Sequence, residues 1–138
     1  MHRVVIDTVV FVRSLINPHS WWGKVLFQKN TSYTLVLSRP VIVEILEVLN
    51  RPELTKKFKS LQEIDMRTVL DYISQAELVD IPIIPNTSRD PKDNMFLATA
   101  EEGNCHYIIS EDRDLLDLQE YNGIQIITAE EFLSVLEK

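Results

Sequence analysis

Four carboxylates sit where an apolar run gives way to polar residues, and they carry most of the chemistry this chain could do. Asp7 follows Val4-Val5-Ile6 and precedes Thr8-Val9-Val10, and Glu44 is set among aliphatic residues in Ser38-Arg39-Pro40-Val41-Ile42-Val43-Glu44-Ile45-Leu46-Glu47. Asp93 lies in Asp90-Pro91-Lys92-Asp93-Asn94, and Asp112 in Tyr107-Ile108-Ile109-Ser110-Glu111-Asp112-Arg113-Asp114. A carboxylate with apolar residues on both sides is drawn into a half-buried setting and needs a partner there. Carboxylates gathered around one point cannot all stay ionised without an offsetting positive charge. The three histidines, at 2, 19 and 106, share no useful spacing, and no Lys stands close in sequence to Asp7 or Asp112. Hard divalent cations with oxygen ligands, Mg²⁺ or Mn²⁺, suit such a donor set.

Each acid also has a plainer structural role open to it. Asp7 could bond the backbone of the next loop. Glu47 pairs naturally with Arg51 at i,i+4, whereas Glu44 has no base at 40 or 48. Asp90, Pro91 and Asp93 follow the grammar of a helix start, favoured by the helix dipole. Three acids at 111, 112 and 114 exceed what capping needs.

These residues must be held by the surrounding elements. Short β-branched runs at 4–6, 34–37, 78–79, 107–109 and 124–127 alternate with segments of helical period at 20–29, 39–50, 60–76, 92–102, 111–118 and 129–137. That alternation predicts an α/β fold with a parallel sheet of about five strands and crossover helices. In such a sheet ligands bind beyond the carboxyl ends of the strands, where the four acids fall. Ser38 and Pro40 suit the start of the helix carrying Glu44, whose aliphatic residues predict burial on most of its circumference. Thr128 with Glu131 predicts a capping box, and Ser20 an N-cap ahead of Trp21-Trp22. The 138 residues, with three glycines and six prolines, carry no linker, repeat or low-complexity tract, so residues 1–138 read as one domain.

The net charge is −7, but residues 101–138 hold ten acids and two bases while residues 1–100 are close to neutral. The balance excludes a protein coated in basic charge for gripping a polyanion. Arg39 and Arg51, with Lys56, Lys57 and Lys59, form a basic flank beside Glu44 and are the candidate substrate-binding groups. One cysteine, Cys105, allows no internal disulfide and reads as a small buried hydrophobe; a cytoplasmic location is expected. No apolar run reaches the roughly 18 residues needed to cross a bilayer.

The opening Val-Ile-Asp7-Thr8, the helix with Glu44, the Asp90–Asn94 stretch and the Ser110–Leu116 stretch, in this order and spacing, resemble the PIN-domain ribonucleases, and within them the VapC-like toxin components of toxin–antitoxin pairs. The resemblance spans essentially the whole chain. It implies a three-layer α/β/α fold with a central parallel sheet and an acidic quartet of Asp7, Glu44, Asp93 and Asp112 acting as catalytic and metal-binding residues. Thr8 and Ser110 match small hydroxyl positions, and Asn94 and Asp114 auxiliary ones. It further implies a Mg²⁺- or Mn²⁺-dependent endoribonuclease acting on single-stranded or structured RNA, often a homodimer and often silenced by an antitoxin protein. There, water made acidic by the cation would attack phosphorus in line. Val9 departs from the pattern: it stands where such proteins carry an amide or hydroxyl.

Other classes fit less well. A phosphoacceptor receiver wants paired acids after the first strand and a lysine after the last, and a haloacid-type phosphotransferase wants an acid at position 9. A catalytically weakened PIN-like domain that binds RNA or protein is the alternative that Val9 keeps open.

Overall fold

A computed structural model describes residues 1–59, 66–81 and 91–137, with the side chains of 91–93 outside that description. The first strand, β1 (His2–Ile6), leads at Asp7 into α1 (Thr8–Ile16), then α2 (Trp21–Gly23) and a π-helical turn (Lys24–Gln28). β2 (Tyr33–Ser38), α3 (Arg39–Leu49) and α4 (Pro52–Lys57) follow, and then α5 (Met66–Gln75) and β3 (Glu77–Val79). The chain continues through α6 (Pro91–Glu102), β4 (Tyr107–Ile109), α7 (Arg113–Leu116), β5 (Glu120–Tyr121), β6 (Ile124–Ile127) and α8 (Ala129–Leu136). Residues 60–65 of the helix expected at 60–76, and the expected cap Asp90, lie outside the described residues.

The six strands form one sheet in the order β3-β2-β1-β4-β6-β5, parallel except for the two-residue β5, which runs antiparallel on β6. The five strands expected from β-branched runs are all present; β5 is too short and polar to have shown as a run. β1 and β4 occupy the middle and are buried over their carboxyl-terminal parts, with Val4, Val5, Ile6, Ile108 and Ile109 at most 1% exposed, as strands covered on both faces require. On one face α6 packs against β2, where Ser38 and Thr99 hydroxyls bond at 2.8 Å. On the other, Phe132 of α8 meets the rings of Tyr33 and Tyr107, and the Tyr33 hydroxyl donates to Val25 O of the π-helical turn (2.8 Å). Helices thus cover both faces of the sheet in three layers.

Two local expectations changed, and one helix was not expected at all. Thr8–Ile16, to which the alternation of runs assigns no element, is a helix; burial of Val10, Phe11, Val12 and Leu15 outweighs the small helix penalty of its β-branched residues. Ser38 occupies the N-cap position of α3 but its side chain makes no cap bond, being turned to Thr99. α3 buries Val41, Ile45 and Leu49 only, and Val43 is 56% exposed, so this helix is less enclosed than its aliphatic content predicts. Ser20 and Thr128 do cap their helices, Thr128 with Glu131 in a reciprocal capping box.

Candidate active site

Connections from β1 run toward β2, while those from β4 run the other way toward β6, so the strand order reverses between β1 and β4. At such a point the loops leaving the two strands diverge and open a crevice at their carboxyl ends. Parallel register aligns Ile6 with Ile109, which places Asp7 and Ser110 side by side at the mouth. Asp7 N–H donates to Ile109 O (3.0 Å), and Ser110 N–H to Ile127 O (3.0 Å), locking both to the sheet.

Asp7 is 3% exposed and its carboxylate is held from two sides. Val10 N–H donates to Oδ1 at 2.8 Å, making Asp7 the N-cap of α1, and the Ser110 hydroxyl donates to Oδ2. The same Ser110 oxygen accepts the Asp112 N–H at 2.9 Å. Asp112 in turn caps α7, its Oδ1 accepting the Asp114 N–H at 2.9 Å. Glu44, on the second turn of α3, accepts a 2.5 Å hydrogen bond from the Thr8 hydroxyl. Two hydroxyls therefore hold two carboxylates, Thr8 that of Glu44 on α3 and Ser110 that of Asp7 just after β1, and Ser110 also holds the Asp112 backbone at the β4–α7 junction.

Burial pushes the Asp7 carboxyl up from 3.8 to about 6; the nearby Asp112 charge adds to the rise, and the bonds from Ser110 and Val10 oppose it. Two acids in mutual repulsion, one of them desolvated, are better accommodated with a cation beside them.

Asp7, Thr8, Glu44 and Asp112 line one cleft of about 370 Å³. Arg51 also lines it and pairs with Glu47 at 3.7 Å, as the i,i+4 spacing predicts. Arg39 is exposed at the first position of α3, and it, the half-buried Asn94 and the exposed Asp114 are not among the lining residues. Asp93 falls in the first turn of α6, with its side chain outside the described residues. Among the described residues no three His, Cys, Asp or Glu side chains converge closely enough to form a metal-binding group. The donor chemistry of the cleft nevertheless suits a hard divalent cation: carboxylate and hydroxyl oxygens, with no thiol or imidazole. Cys105 and His106 lie at the opposite end of β4, where burial pushes the Cys105 thiol up to about 12 and leaves it unreactive.

The cleft contains more than its acids. Val12, Arg13, Ile16, Val48, Leu54, Phe58, Phe96 and Leu115 also line it, and the sequence reading assigned none of them there. The spacing Thr8, Val12, Ile16 and the pair Glu44, Val48 are the four-residue repeats of helix faces that could have shown it. Arg13 is exposed and sits over the Trp22 ring at 5.2 Å, so Trp22 supports a cleft residue, while Trp21 is 50% exposed.

A family model described as PIN domain matches residues 3–114. An uncharacterized protein of Methanocaldococcus jannaschii, MJ1680, is 32% identical over 152 residues, spanning 99% of this chain and 92% of its own length. Three solved structures share the fold at low identity. They are VapBC2 from Rickettsia felis bound to a DNA fragment from its promoter (TM-score 0.55, 15% identity, 90% of this chain and 96% of that one); PAE2754 from Pyrobaculum aerophilum (0.53, 16%, 99% and 90%); and the PIN domain endonuclease Utp24 (0.54, 16%, 90% and 82%). No helix among the described residues is long and apolar enough to cross a membrane.

Proposed function

The chain belongs to the PIN domain family, and on that premise we propose that it is a Mg²⁺- or Mn²⁺-dependent endoribonuclease, one domain over residues 1–138, acting in the cytoplasm as the toxin of a toxin–antitoxin pair. The observation that carries the reading is the Ser110 bridge: one hydroxyl joins the Asp7 carboxylate to the Asp112 backbone at the point where strand order reverses. Likeness to two solved structures, a VapBC2 complex and a PIN domain endonuclease, supports nuclease chemistry and an antitoxin partner.

Asp7, Glu44 and Asp112, joined by Asp93, would hold the cation. When bound, it supplies Lewis acidity toward a phosphodiester oxygen and lowers the pKa of water at the site. The protein's own groups do the positioning. Val10 N–H and the Ser110 hydroxyl fix the plane of the Asp7 carboxylate, so it reaches its ligating pose without further loss of freedom. Thr8 holds Glu44 toward the cleft, and Asp114 N–H holds Asp112. Asn94 and the Asp114 carboxylate, outside the cleft lining, act as auxiliary groups. Arg51 at the mouth meets a phosphate of the RNA, and Arg39, at the opposite end of α3, meets one farther along the strand. Homodimerisation, which the resemblance implies, is part of the proposal.

Cleavage of single-stranded RNA by the purified protein, measured with Mn²⁺ and with EDTA, tests this reading. Cleavage that appears with Mn²⁺, is abolished by EDTA and is lost in Asp7→Asn is expected; cleavage indifferent to either change would overturn it.

A further inference from the structure

The cleft is larger and more apolar than a phosphodiester and its cation require. Beyond the three carboxylates, Val12 of α1, Val48 of α3, and Leu54 and Phe58 of and just after α4 form an apolar wall, with Arg13 and Arg51 lining the same space. Both arginines are exposed, and each is steadied by a neighbour, Arg13 by the Trp22 ring and Arg51 by Glu47.

We propose that this apolar arm of the cleft receives one unpaired nucleobase of the RNA, the base next to the phosphodiester presented to the carboxylates. This inference rests on the nuclease reading above. A nucleotide is an apolar, flat-faced base joined to an anionic phosphate, and the cleft offers the matching sequence of surfaces. Aliphatic and aromatic side chains accept the faces of the base, and the two guanidinium groups complement the phosphates or stack on the base. An apolar peptide would match the wall but would bring no anion to the exposed Arg13, nor to Arg51 beyond its exposed 3.7 Å pair with Glu47. A base stacked in a duplex could not enter, so the arm selects RNA that is single-stranded at the cut. Phe58 and Leu54 become specificity-determining residues that do not touch the reacting atoms.

The test is binding, read in EDTA at low salt so that no cleavage is needed. Fluorescence anisotropy compares a labelled single-stranded RNA hexamer with a hexamer carrying abasic spacers at all six positions. The intact hexamer is expected to bind at least about tenfold more tightly, the span that loss of base stacking commonly produces. In Phe58→Ala and Leu54→Ala, both half-buried sites, that preference should shrink severalfold while circular dichroism is unchanged. Equal affinity of wild-type protein for the two hexamers, or no binding of either, overturns the inference and leaves the wall to a protein side chain. A base preference that disappears in the variants upholds it even if no cleavage is ever seen. Cleavage without base preference upholds only the nuclease reading.

Discussion

The hydroxyl of Ser110 donates to the carboxylate of Asp7 across the seam between β1 and β4, joining residues 103 positions apart in the chain. Both are buried, and the same oxygen accepts the Asp112 amide. Ser110 is therefore the point on which the orientation of two acids depends.

Ser110→Ala removes a donor from Asp7 and leaves the Asp112 N–H without its partner. A buried polar group stripped of its bond costs about 1–3 kcal/mol, so the variant should unfold at lower denaturant with an unchanged m-value. Because the Ser110 bond lowers the Asp7 pKa, the Asp7 carboxyl should also titrate higher in the variant. Carboxyl-carbon NMR titration reads the second effect; a pKa for Asp7 unmoved or lowered would contradict the role given to Ser110.

The metal-free protein should carry a specific pH signature. Folded Asp7 keeps its proton up to about pH 6, whereas the carboxyl in the unfolded chain releases it near 3.8. Folding takes up a proton between those values, so this group's contribution to stability falls as pH rises from about 4 to about 6 and is flat above. The gap corresponds to about 3 kcal/mol. In EDTA, the stability of Asp7→Asn minus that of wild type should grow by that order between pH 4 and pH 7, since Asn retains the N-cap to α1. A difference independent of pH would show that Asp7 is not the desolvated acid described here.

Glu44 and Glu47 lie three residues apart on α3 and should respond differently. Glu44 accepts from Thr8 inside the cleft, whereas Glu47 makes an exposed 3.7 Å pair with Arg51. Glu44→Gln should reduce RNA cleavage by at least about tenfold, consistent with loss of a ligand or its support. Glu47→Gln should change stability by less than about 0.5 kcal/mol and leave cleavage within a few-fold. Equal effects of the two changes on initial rates would contradict the assignment of Glu44.

Val9 lines the cleft and is 45% exposed, so replacing it with a polar residue buries nothing new. Val9→Asn should shift stability by less than about 1 kcal/mol and raise cleavage severalfold by adding a hydrogen-bonding group beside the acids. A fall in cleavage at unchanged stability would show that the apolar side chain is itself required there.

Asp7, Glu44 and Asp112, which line the cleft, stood out in the sequence because each lies beside or within an apolar run, at a strand end or on an aliphatic helix; Asp93 stands in a polar helix start, and its side chain lies outside the described residues. Glu47 was legible as a surface pair for the same reason of spacing. What closes the site was not. α1 was hidden by β-branched residues, and with it Arg13 and Val12, because local propensity pointed to strand while burial against the sheet decided for helix. Phe58 and Leu54 come from a basic segment that reads as surface and reach the cleft only through tertiary packing. The Ser38 side chain shows the converse: its cap position was readable, but a buried partner at Thr99, 61 residues away, took its hydroxyl.

Asp7→Asn keeps the shape and the cap of Asp7 while removing its charge, and Mn²⁺ titration of both proteins followed by thermal unfolding and by RNA cleavage tests the cation site most directly. The account predicts that Mn²⁺ raises the wild-type melting temperature and supports cleavage, and that the variant loses both responses, cleavage by at least about a hundredfold. A variant that Mn²⁺ stabilises as much as wild type, and that cleaves RNA as fast, would contradict it.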